Sequence, residues 1–398
     1  MSTEKKETKA AETKEEKVEE EAKAEETKKE KKPKKDSKKE AEIKETAEKL
    51  IKEEQEKYLR LAAEYDNFRK RSQKERESLY NDILADALLR LGADVAYEEN
   101  EGFPPLRIKG RQLQGGSLEV QGNVSSQFIS ALLMIAPGME KGLTLHLTGD
   151  IISRPYIDLT LCTMRNFGAD AEWTDNDTIE VKPQPYTPQD YYIESDWSAA
   201  SYWYEILALS KDNEAEIKLN GLMDGSLQGD SVVKYLFSML GIKTSFSSRT
   251  RNVPTTVTLR KTGLVSARLD YNFINQPDLA QTFVVTCALM GVPFHFTGLA
   301  TLHIKETDRI VALKTEMRKL GYVISDGDGT ELIWDGERCE PEENPVIETY
   351  EDHRMALAFA PAASQIPGLG INNPQVVTKS YPHFWKDLAD AGFLISEE

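Results

Sequence analysis

An internal repeat runs through most of this 398-residue chain and limits the folds it can adopt. A strand-like run ending at a glycine or asparagine recurs about every 75 residues, and a glycine-capped helix end follows about twenty residues later. The runs are Leu147-Thr-Gly149, Leu219-Asn-Gly221, Phe296-Thr-Gly298 and Ile371-Asn-Asn373, and the caps are Gly168, Gly241, Gly321 and Gly392. A fifth helix end, Arg90-Leu-Gly92, has no matching front half. The repeat therefore predicts a unit that is cut short near Ile83.

Each repeat also begins with an apolar helix behind a capping residue. The predicted caps are Ser125, Asp196, Asp278 and Asp352. Two helices per unit, with strands between them, give a βαβαββ pattern and assign this part of the chain to the α/β class. If successive units stack by symmetry, these helix N-termini share one face. Their free N–H groups and positive dipole ends would then favour a phosphate or a carboxylate.

The first 83 residues differ in composition from the rest. No glycine occurs before Gly92 and no aromatic residue before Tyr58, and residues 1–57 hold 19 acidic residues and 18 lysines. With so little apolar surface, residues 1–40 are predicted to be a disordered charged tail. Over residues 41–83, apolar side chains recur at alternating steps of three and four, which predicts a long helix that pairs with another.

Charge and composition exclude several classes of function. The formal charge is −17, and nearly all of the acidic excess lies after residue 57, so we expect no nucleic-acid partner. No apolar run is long enough to cross a bilayer and no signal peptide is recognisable, so we expect no membrane partner. Cys162, Cys287 and Cys339 fit neither a zinc motif nor a disulfide scaffold, which favours a reducing, cytoplasmic location.

Polar clusters stand at corresponding edges of the repeats. Ser125-Ser126-Gln127 begins a helix, where most such serines only cap. Lys305 and Arg309 are four residues apart and are predicted to share one helix face, with Glu306 and Asp308 pointing elsewhere. Asp352-His353-Arg354 begins the equivalent helix of the next unit, and Lys379 follows the last repeat strand. An anion site and a set of capping or surface charges are the two competing interpretations.

Five motifs, in order and with family-like separations, resemble 5-enolpyruvylshikimate-3-phosphate (EPSP) synthases. They are Gly122-Asn-Val-Ser-Ser-Gln-Phe128, Ser153-Arg-Pro-Tyr156-Ile-Asp, Pro277-Asp278, Ile304-Lys-Glu-Thr-Asp-Arg309 and Tyr350-Glu-Asp-His-Arg-Met-Ala356. The resemblance covers about residues 84–393. It implies a two-lobed enolpyruvyl transferase fold of repeated βαβαββ units, with residues 84–195 as an incomplete first lobe and residues 196–398 as the second lobe.

The resemblance also implies a reaction and its residues. The carboxyvinyl group of phosphoenolpyruvate would pass to the 5-hydroxyl of shikimate 3-phosphate, with release of phosphate and without a metal or other cofactor, in the shikimate pathway of aromatic amino acid biosynthesis. The implied catalytic residues are Asp278 for the hydroxyl proton, Glu306 for the methylene carbon and Lys305 beside the hydroxyl. Shikimate 3-phosphate would be held by Ser125, Ser126, Gln127, Ser153, Tyr156, Asp278 and Lys305. Phosphoenolpyruvate would be held by Gln127, Arg309, His353, Arg354 and Lys379.

The sequence departs from the family pattern before residue 84. The family's Lys-Ser segment, its Gly-Asn-Ala-Gly-Thr loop and two arginines have no counterpart, so we expect impaired catalysis and exposed apolar edges on the first lobe. The stretch from about Ile43 to Leu79, and Lys57–Arg71 in particular, instead resembles the long dimerising helix of GrpE-type exchange factors, which act on DnaK-type chaperones. The charged tail before it also suits that family, so residues 1–82 are interpreted as a GrpE-like segment. Three functions remain open: an impaired transferase, a GrpE-like module that dimerises or contacts a chaperone, and an inactive fusion.

Overall fold

A computed structural model describes residue 83 and residues 85–101, 105–123, 125–248, 250 and 253–397. The predicted tail over residues 1–40, and residues 41–82 of the predicted long helix, lie outside this part of the chain. The α-helices are α1 (85–90), α2 (Ser126–Ile135), α3 (Arg154–Asn166), α4 (Trp197–Leu209), α5 (Val233–Met239), α6 (Ala280–Met290), α7 (Arg309–Lys319), α8 (His353–Phe359) and α9 (Phe384–Asp390).

The strands are short and mostly come in groups that match the repeat. They are β1 (Asp94–Tyr97), β2 (Leu106–Lys109), β3 (Gly116–Gln121), β4 (Leu143–Thr148), β5 (Ala171–Trp173), β6 (Thr178–Val181), β7 (Glu216–Met223), β8 (Ile242–Phe246), β9 (Pro254–Lys261), β10 (Leu269–Asn272), β11 (Phe294–Thr297), β12 (Leu332–Trp334), β13 (Val346–Ile347) and β14 (Gly370–Ile371). The α/β class predicted from the repeat is confirmed.

One complete βαβαββ unit spans β3 to β6. Its sheet has the order β3-β4-β6-β5, with β3 parallel to β4 and with β6 antiparallel to both of its neighbours. Strand β4 alternates, burying Leu143, Leu145 and Leu147. Helix α3 buries Ile157 and Leu161 at a four-residue spacing, so its apolar face and that of β4 belong to the same core.

The later units depart from the ideal repeat. Residues 182–196 form no strand, and Pro183, Pro185 and Pro188, which cannot donate to a sheet, lie in this connection. Strands β7, β9 and β8 form one antiparallel sheet, whereas β10 pairs parallel with β11, and β11 pairs antiparallel with β12. Helix α6 is buried on every side from Ala280 to Ala288, as expected of a helix inside a layered core.

Two separate apolar cores lie on either side of the connection over residues 182–196. One gathers buried side chains between Ala87 and Val181, and the other gathers those between Trp197 and Leu388. We refer to residues 85–195 as the first lobe and to residues 196–397 as the second lobe. Met134 and Ile135, at the end of α2, are 51% and 44% exposed.

The predicted helix ends agree with the structure better than the predicted helix starts. All five cap glycines, Gly92, Gly168, Gly241, Gly321 and Gly392, have a positive φ, and the Asp196 and Asp352 side chains cap α4 and α8. The prediction that Asp278 caps a helix is wrong. Pro277 fixes φ at the start of a 3-10 turn, Pro277–Leu279, and α6 begins only at Ala280.

The predicted shared helix face of Lys305 and Arg309 is also wrong. Asp308 accepts a hydrogen bond from the Val311 N–H and caps α7, so the helix begins at Arg309. Lys305 lies before it, after the 3-10 helix Ala300–Ile304. Glu306 contacts Arg309 instead of pointing elsewhere. Within the described residues, no helix is both long and apolar enough to traverse a membrane.

Candidate active site

A cavity of about 910 Å³ is lined by residues of both lobes. Every residue that the sequence predicts for substrate binding or catalysis contributes to its wall. They are Ser125, Ser126, Gln127, Ser153, Tyr156, Asp278, Lys305, Glu306, Arg309, His353, Arg354 and Lys379. These residues come from segments that are up to 254 positions apart in the chain, counted from Ser125 to Lys379. The fold therefore brings together the polar clusters that the repeat pattern places at corresponding edges.

The first-lobe wall consists of hydroxyl groups at two helix N-termini. Ser125 precedes α2 and Ser153 precedes α3, but neither side chain makes a capping hydrogen bond. Ser153 also has φ of 56°, in the left-handed region that a non-glycine residue rarely adopts. Capping therefore does not account for these two serines. The N–H groups at the start of α2 suit an anion, whereas at the start of α3 the Ser153 N–H is bonded to the Ile274 carbonyl and Pro155 has no N–H.

The second-lobe wall is a network of carboxylates and cations around Asp278. Oδ1 of Asp278 lies 2.8 Å from Arg309 Nη1 and 3.3 Å from Lys305 Nζ, and Oδ2 lies 3.2 Å from Arg354 Nη2. Burial alone would raise the pKa of Asp278, but Arg354, Arg309 and Lys305 outweigh it and hold the pKa well below its usual range. Asp278 is therefore ionised, and its single negative charge is shared among three cations.

Glu306 is held in the same way. It accepts a hydrogen bond of 3.0 Å from Arg309 Nη2 and another from the Lys379 ammonium group. Burial opposes its ionisation, but Arg309 and Lys379 together lower the pKa of Glu306 to about 2. Lys379 is 58% exposed at the side chain, so an incoming anion can reach it more easily than it can reach Arg309, which is 1% exposed.

Arg309 joins the elements that carry the site. Its Nε donates to Asp352 Oδ2 at 2.6 Å and its Nη2 to Asp352 Oδ1 at 3.2 Å, a two-point contact between α7 and the start of α8. Asp352 Oδ1 also accepts from the Arg354 N–H at 2.9 Å. The buried Arg309–Asp352 pair therefore fixes the turn that presents His353 and Arg354 to the cavity.

His353 is a neutral imidazole in this arrangement. Burial, followed by the charge of Arg354, lowers its pKa to about 4. Its Nδ1 is buried, lies 3.7 Å from Asp352 Oδ1 and has no hydrogen-bond partner.

The positive charge of the cavity is one-sided. Among the described lining residues, the lysines and arginines all belong to the second lobe: Lys305, Arg309, Arg354 and Lys379. The side chain of Arg154, in the first turn of α3, does not line the cavity. Its guanidinium lies 3.8 Å from the Trp173 ring centroid and donates to the Asn176 carbonyl at 2.8 Å. The first-lobe wall thus offers hydroxyls and N–H groups to an anion, but no full charge.

Sequence reasoning missed several polar residues at this site, since Ser130, Thr160 and Ser380 line the cavity as well as Thr301. Thr301 lines the cavity, and its hydroxyl is buried without a hydrogen-bond partner. Asp230 lies behind the cavity and accepts a hydrogen bond of 2.8 Å from the Tyr156 hydroxyl. No sequence signal marks Asp230, because its burial and its contact with Tyr156 arise only in the folded protein. No group of three or more metal-binding side chains occurs within the described residues.

Known proteins of one family match most of the chain. The family model described as EPSP synthase (3-phosphoshikimate 1-carboxyvinyltransferase) matches residues 82–388. A 3-phosphoshikimate 1-carboxyvinyltransferase of Bacteroides fragilis is 58% identical over 311 residues, which cover 78% of this chain and 74% of that protein. One of Haemophilus ducreyi is 33% identical over 311 residues, covering 76% of this chain and 67% of that protein.

Solved structures show a similar fold at low sequence identity. EPSP synthase from Acinetobacter baumannii superposes with a TM-score of 0.59 at 21% identity, covering 79% of this chain and 70% of that one. The enolpyruvyl transferase NikO from Streptomyces tendae gives a TM-score of 0.56 at 14% identity, covering 78% and 71%. At these identities the likeness concerns the fold alone. The family match over residues 82–388 and the identity to the Bacteroides fragilis protein show that the chain belongs to the EPSP synthase family.

Proposed function

We propose that this chain transfers the carboxyvinyl group of phosphoenolpyruvate to the 5-hydroxyl of shikimate 3-phosphate and releases phosphate. The observation that carries the proposal is the convergence of twelve predicted site residues on one cavity. The two substrates together carry two phosphates and two carboxylates, and the cavity offers four lysine or arginine side chains, the N-terminus of α2 and several hydroxyl groups to receive them.

Substrate binding begins, in this proposal, with an exchange of anions. Lys379 is paired with Glu306, and Arg354 is paired with Asp278. The phosphate and carboxylate of phosphoenolpyruvate take over these cations and leave both protein carboxylates less stabilised as anions. Their depressed pKa values then rise toward the range in which they can accept and donate protons.

The two carboxylates then divide the proton transfers. Asp278 accepts the proton of the 5-hydroxyl while the hydroxyl oxygen bonds to C2 of phosphoenolpyruvate. Lys305 lies beside this hydroxyl. Glu306, protonated when the site is loaded, gives a proton to the methylene carbon, which yields the tetrahedral intermediate. Return of that proton to Glu306 restores the double bond as the C–O bond to phosphate breaks. The cations stabilise the negative charge that develops on the leaving phosphate.

The first lobe holds the other substrate. Ser125, Ser126 and Ser153 are assigned to the phosphate of shikimate 3-phosphate, while Gln127 and Tyr156 position its ring or the enolpyruvyl group. Arg309 and His353 complete the phosphoenolpyruvate side, with Arg309 acting mainly by fixing Glu306 and Asp352. The absence of full charge from the described first-lobe wall is the reason to expect weak substrate binding and a low rate.

Release of phosphate tests the proposal directly. The purified full chain is incubated with both substrates, and phosphate is measured against mixtures that lack one substrate. Asp278→Asn should abolish the signal, and Lys379→Ala should raise the KM for phosphoenolpyruvate about tenfold or more. Lys386→Ala is the matched control, since Lys386 is an exposed lysine paired with Asp390 on α9 and lies outside the cavity. Phosphate release at the level of the single-substrate mixtures would refute the proposed activity.

The GrpE-like segment adds a separate proposal about residues 1–82, which the structure does not describe. We propose that it pairs with a second copy or contacts a DnaK-type chaperone, and that the protein works in the cytoplasm. Sedimentation of the full chain and nucleotide release from such a chaperone test these two contacts. A monomer that leaves nucleotide release unchanged would remove both.

A further inference from the structure

A tyrosine of the first lobe is tied to a buried carboxylate of the second lobe. Tyr156 lines the cavity from α3, and its hydroxyl donates to Asp230 Oδ1 at 2.8 Å. Asp230 is 1% exposed, and its other oxygen accepts from the Ser198 hydroxyl. Two hydroxyl groups are thus the side-chain hydrogen-bond partners of this carboxylate, and one of them crosses from lobe to lobe.

The backbone around Asp230 is fitted to the same helix start. A Cβ atom added to Gly229 would lie 3.1 Å from Pro155 Cβ and 3.4 Å from a Tyr156 ring carbon. The Ser153 N–H donates to the Ile274 carbonyl of the second lobe at 3.1 Å. The first turn of α3 is therefore held against the second lobe by one side-chain bond, one backbone bond and one close packing contact.

We propose that Asp230 is a positioning residue, which fixes Tyr156 and with it the first turn of α3, including Ser153, at the boundary of the two lobes. The inference rests on the proposed function for what Ser153 and Tyr156 bind. The inference goes beyond the proposed function because it assigns a role to Asp230, which does not line the cavity. Asp230 controls how Ser153 and Tyr156 contact shikimate 3-phosphate. In this view the start of α3 is a fixed point between the lobes.

The chemistry of the pair keeps the contact intact. Burial and the neighbouring Asp230 raise the pKa of Tyr156, so its phenol remains a donor. Burial also raises the pKa of Asp230, against the opposing charge of Arg354. In either protonation state Asp230 keeps an oxygen that can accept from Tyr156. A merely space-filling polar pair would not need to span two lobes beside a ligand cavity.

Hydrogen exchange of the full chain tests the contact without requiring activity. In Asp230→Ala, the amides of Ser153 and of the first turn of α3 should exchange at least about tenfold faster, while β4 keeps its protection. The matched control is Asp158→Ala, since Asp158 lies on α3 and accepts a hydrogen bond of 2.8 Å from Trp173 Nε1. This bond has the same length as the Tyr156–Asp230 bond, but both of its partners belong to the first lobe. Equal exchange in the two variants would overturn the proposal.

Ligand binding tests the positioning role. Asp230→Ala should weaken binding of shikimate 3-phosphate about tenfold and leave the KM for phosphoenolpyruvate within about twofold. Tyr156→Phe should show the same split, and the double variant should be no worse than Tyr156→Phe. Equal losses for both substrates, or additive losses in the double variant, would contradict action through Tyr156.

A conservative variant guards against loss of folding. Asp230→Asn keeps an oxygen for the Tyr156 hydroxyl and should restore both exchange and binding to nearly wild-type values. Ser198→Ala, which removes the other hydrogen-bond partner of Asp230, should also show nearly wild-type exchange and binding. Loss of binding in Asp230→Asn would overturn the proposal. If the wild-type chain binds no shikimate 3-phosphate, the proposed function fails, while the exchange experiment still decides whether Asp230 holds α3.

Discussion

Glu205 is a buried acid that lies outside the cavity, in the middle of α4. Its side chain is fully buried, and neither carboxyl oxygen has a hydrogen-bond partner. Thr286 lies nearby on α6, but its hydroxyl donates to the Thr282 carbonyl at 2.7 Å. Burial therefore raises the pKa of Glu205 well above its usual value, with only a small opposing effect from Thr286. The folded protein keeps this group protonated.

Ionisation of Glu205 should therefore lower the stability of the folded protein as the pH rises. The contribution of the neutral acid is complete below the pKa of the unfolded chain, near 4.5, and is lost as the pH rises toward the higher folded value. We expect Glu205→Gln to raise the free energy of unfolding by about 1–3 kcal/mol at pH 8 and by much less at pH 5. Urea titrations of both proteins at the two pH values measure this. A gain that is equal at the two pH values would contradict the explanation.

Glu306 should give the opposite pH dependence. Its folded pKa is about 2, so its contribution is present above the unfolded pKa near 4.5 and is lost as the pH falls toward 2. Glu306→Gln is expected to lower the free energy of unfolding by roughly 1–2 kcal/mol at pH 7, and the two proteins should converge in acid. Denaturant titrations from pH 7 to pH 3 follow the difference. A constant difference over this range would show that the Lys379 and Arg309 contacts do not stabilise the anion.

At the scale of elements, the start of α7 positions the loop that carries Lys305 and Glu306. Asp308 caps α7 with one oxygen, and its other oxygen lies 2.8 Å from His303 Nδ1. The same imidazole contacts the Gly329 carbonyl. Burial would lower the pKa of His303, but these two contacts outweigh it and raise the pKa. The Asp308 carboxylate thus fixes both ends of the short loop from His303 to Asp308.

Removal of that carboxylate should loosen the loop. We expect Asp308→Ala to cost about 1 kcal/mol of stability through the lost cap and to lower kcat/KM about tenfold. Asp308→Asn can still cap, so it should regain most of the stability. Thermal unfolding and phosphate release are measured on both variants. A stable Asp308→Ala protein with unchanged kcat/KM would mean that the loop is held by other contacts.

The elements show which sequence signals were reliable. The five cap glycines were predictable because only glycine takes a positive φ without strain, and the complete unit from β3 to β6 follows from alternation in the strands and a four-residue spacing in the helices. Lys305 was placed on a helix because spacing alone cannot show that Asp308 would start the helix later. The sequence pattern predicts Asp278 as a cap because it does not show the pairing of Asp278 with distant cations.

The site itself was predictable as a set of residues but not as a network. The resemblance supplied the twelve cavity residues, whereas the pairing of Arg309 with Asp352 and of Tyr156 with Asp230 depends on tertiary contacts between distant segments. Thr301 carries no motif, and only its buried, unpartnered hydroxyl marks it. The roles of individual residues remain proposals that the variants above can test.

At the scale of the whole molecule, one lobe supplies the charge of the cavity and the other supplies hydroxyls and helix starts. The match to the Bacteroides fragilis relative covers 74% of that protein, so about a quarter of its length has no partner here. Each missing charge-assisted bond to a buried anion contributes about 1.5–3 kcal/mol. Weak binding of both substrates is the expected consequence.

A graft tests this expectation. Replacing residues 1–83 with the part of the Bacteroides fragilis protein that this chain does not match should raise kcat/KM about 10²- to 10⁴-fold, as two restored charge-assisted bonds would give. The same graft in Asp278→Asn should remain inactive, which excludes activity from the added segment alone. An unchanged kcat/KM in the graft would place the limitation in the residues after 83.

The backbone at Ser153 has a consequence for how this protein could be stabilised. A serine at φ of 56° is held in a conformation that glycine adopts at less cost, by roughly 1 kcal/mol. A search for more heat-resistant variants would therefore favour glycine here, and glycine would remove the Ser153 hydroxyl from the cavity wall. Stability and the proposed binding of shikimate 3-phosphate thus favour different residues at this position.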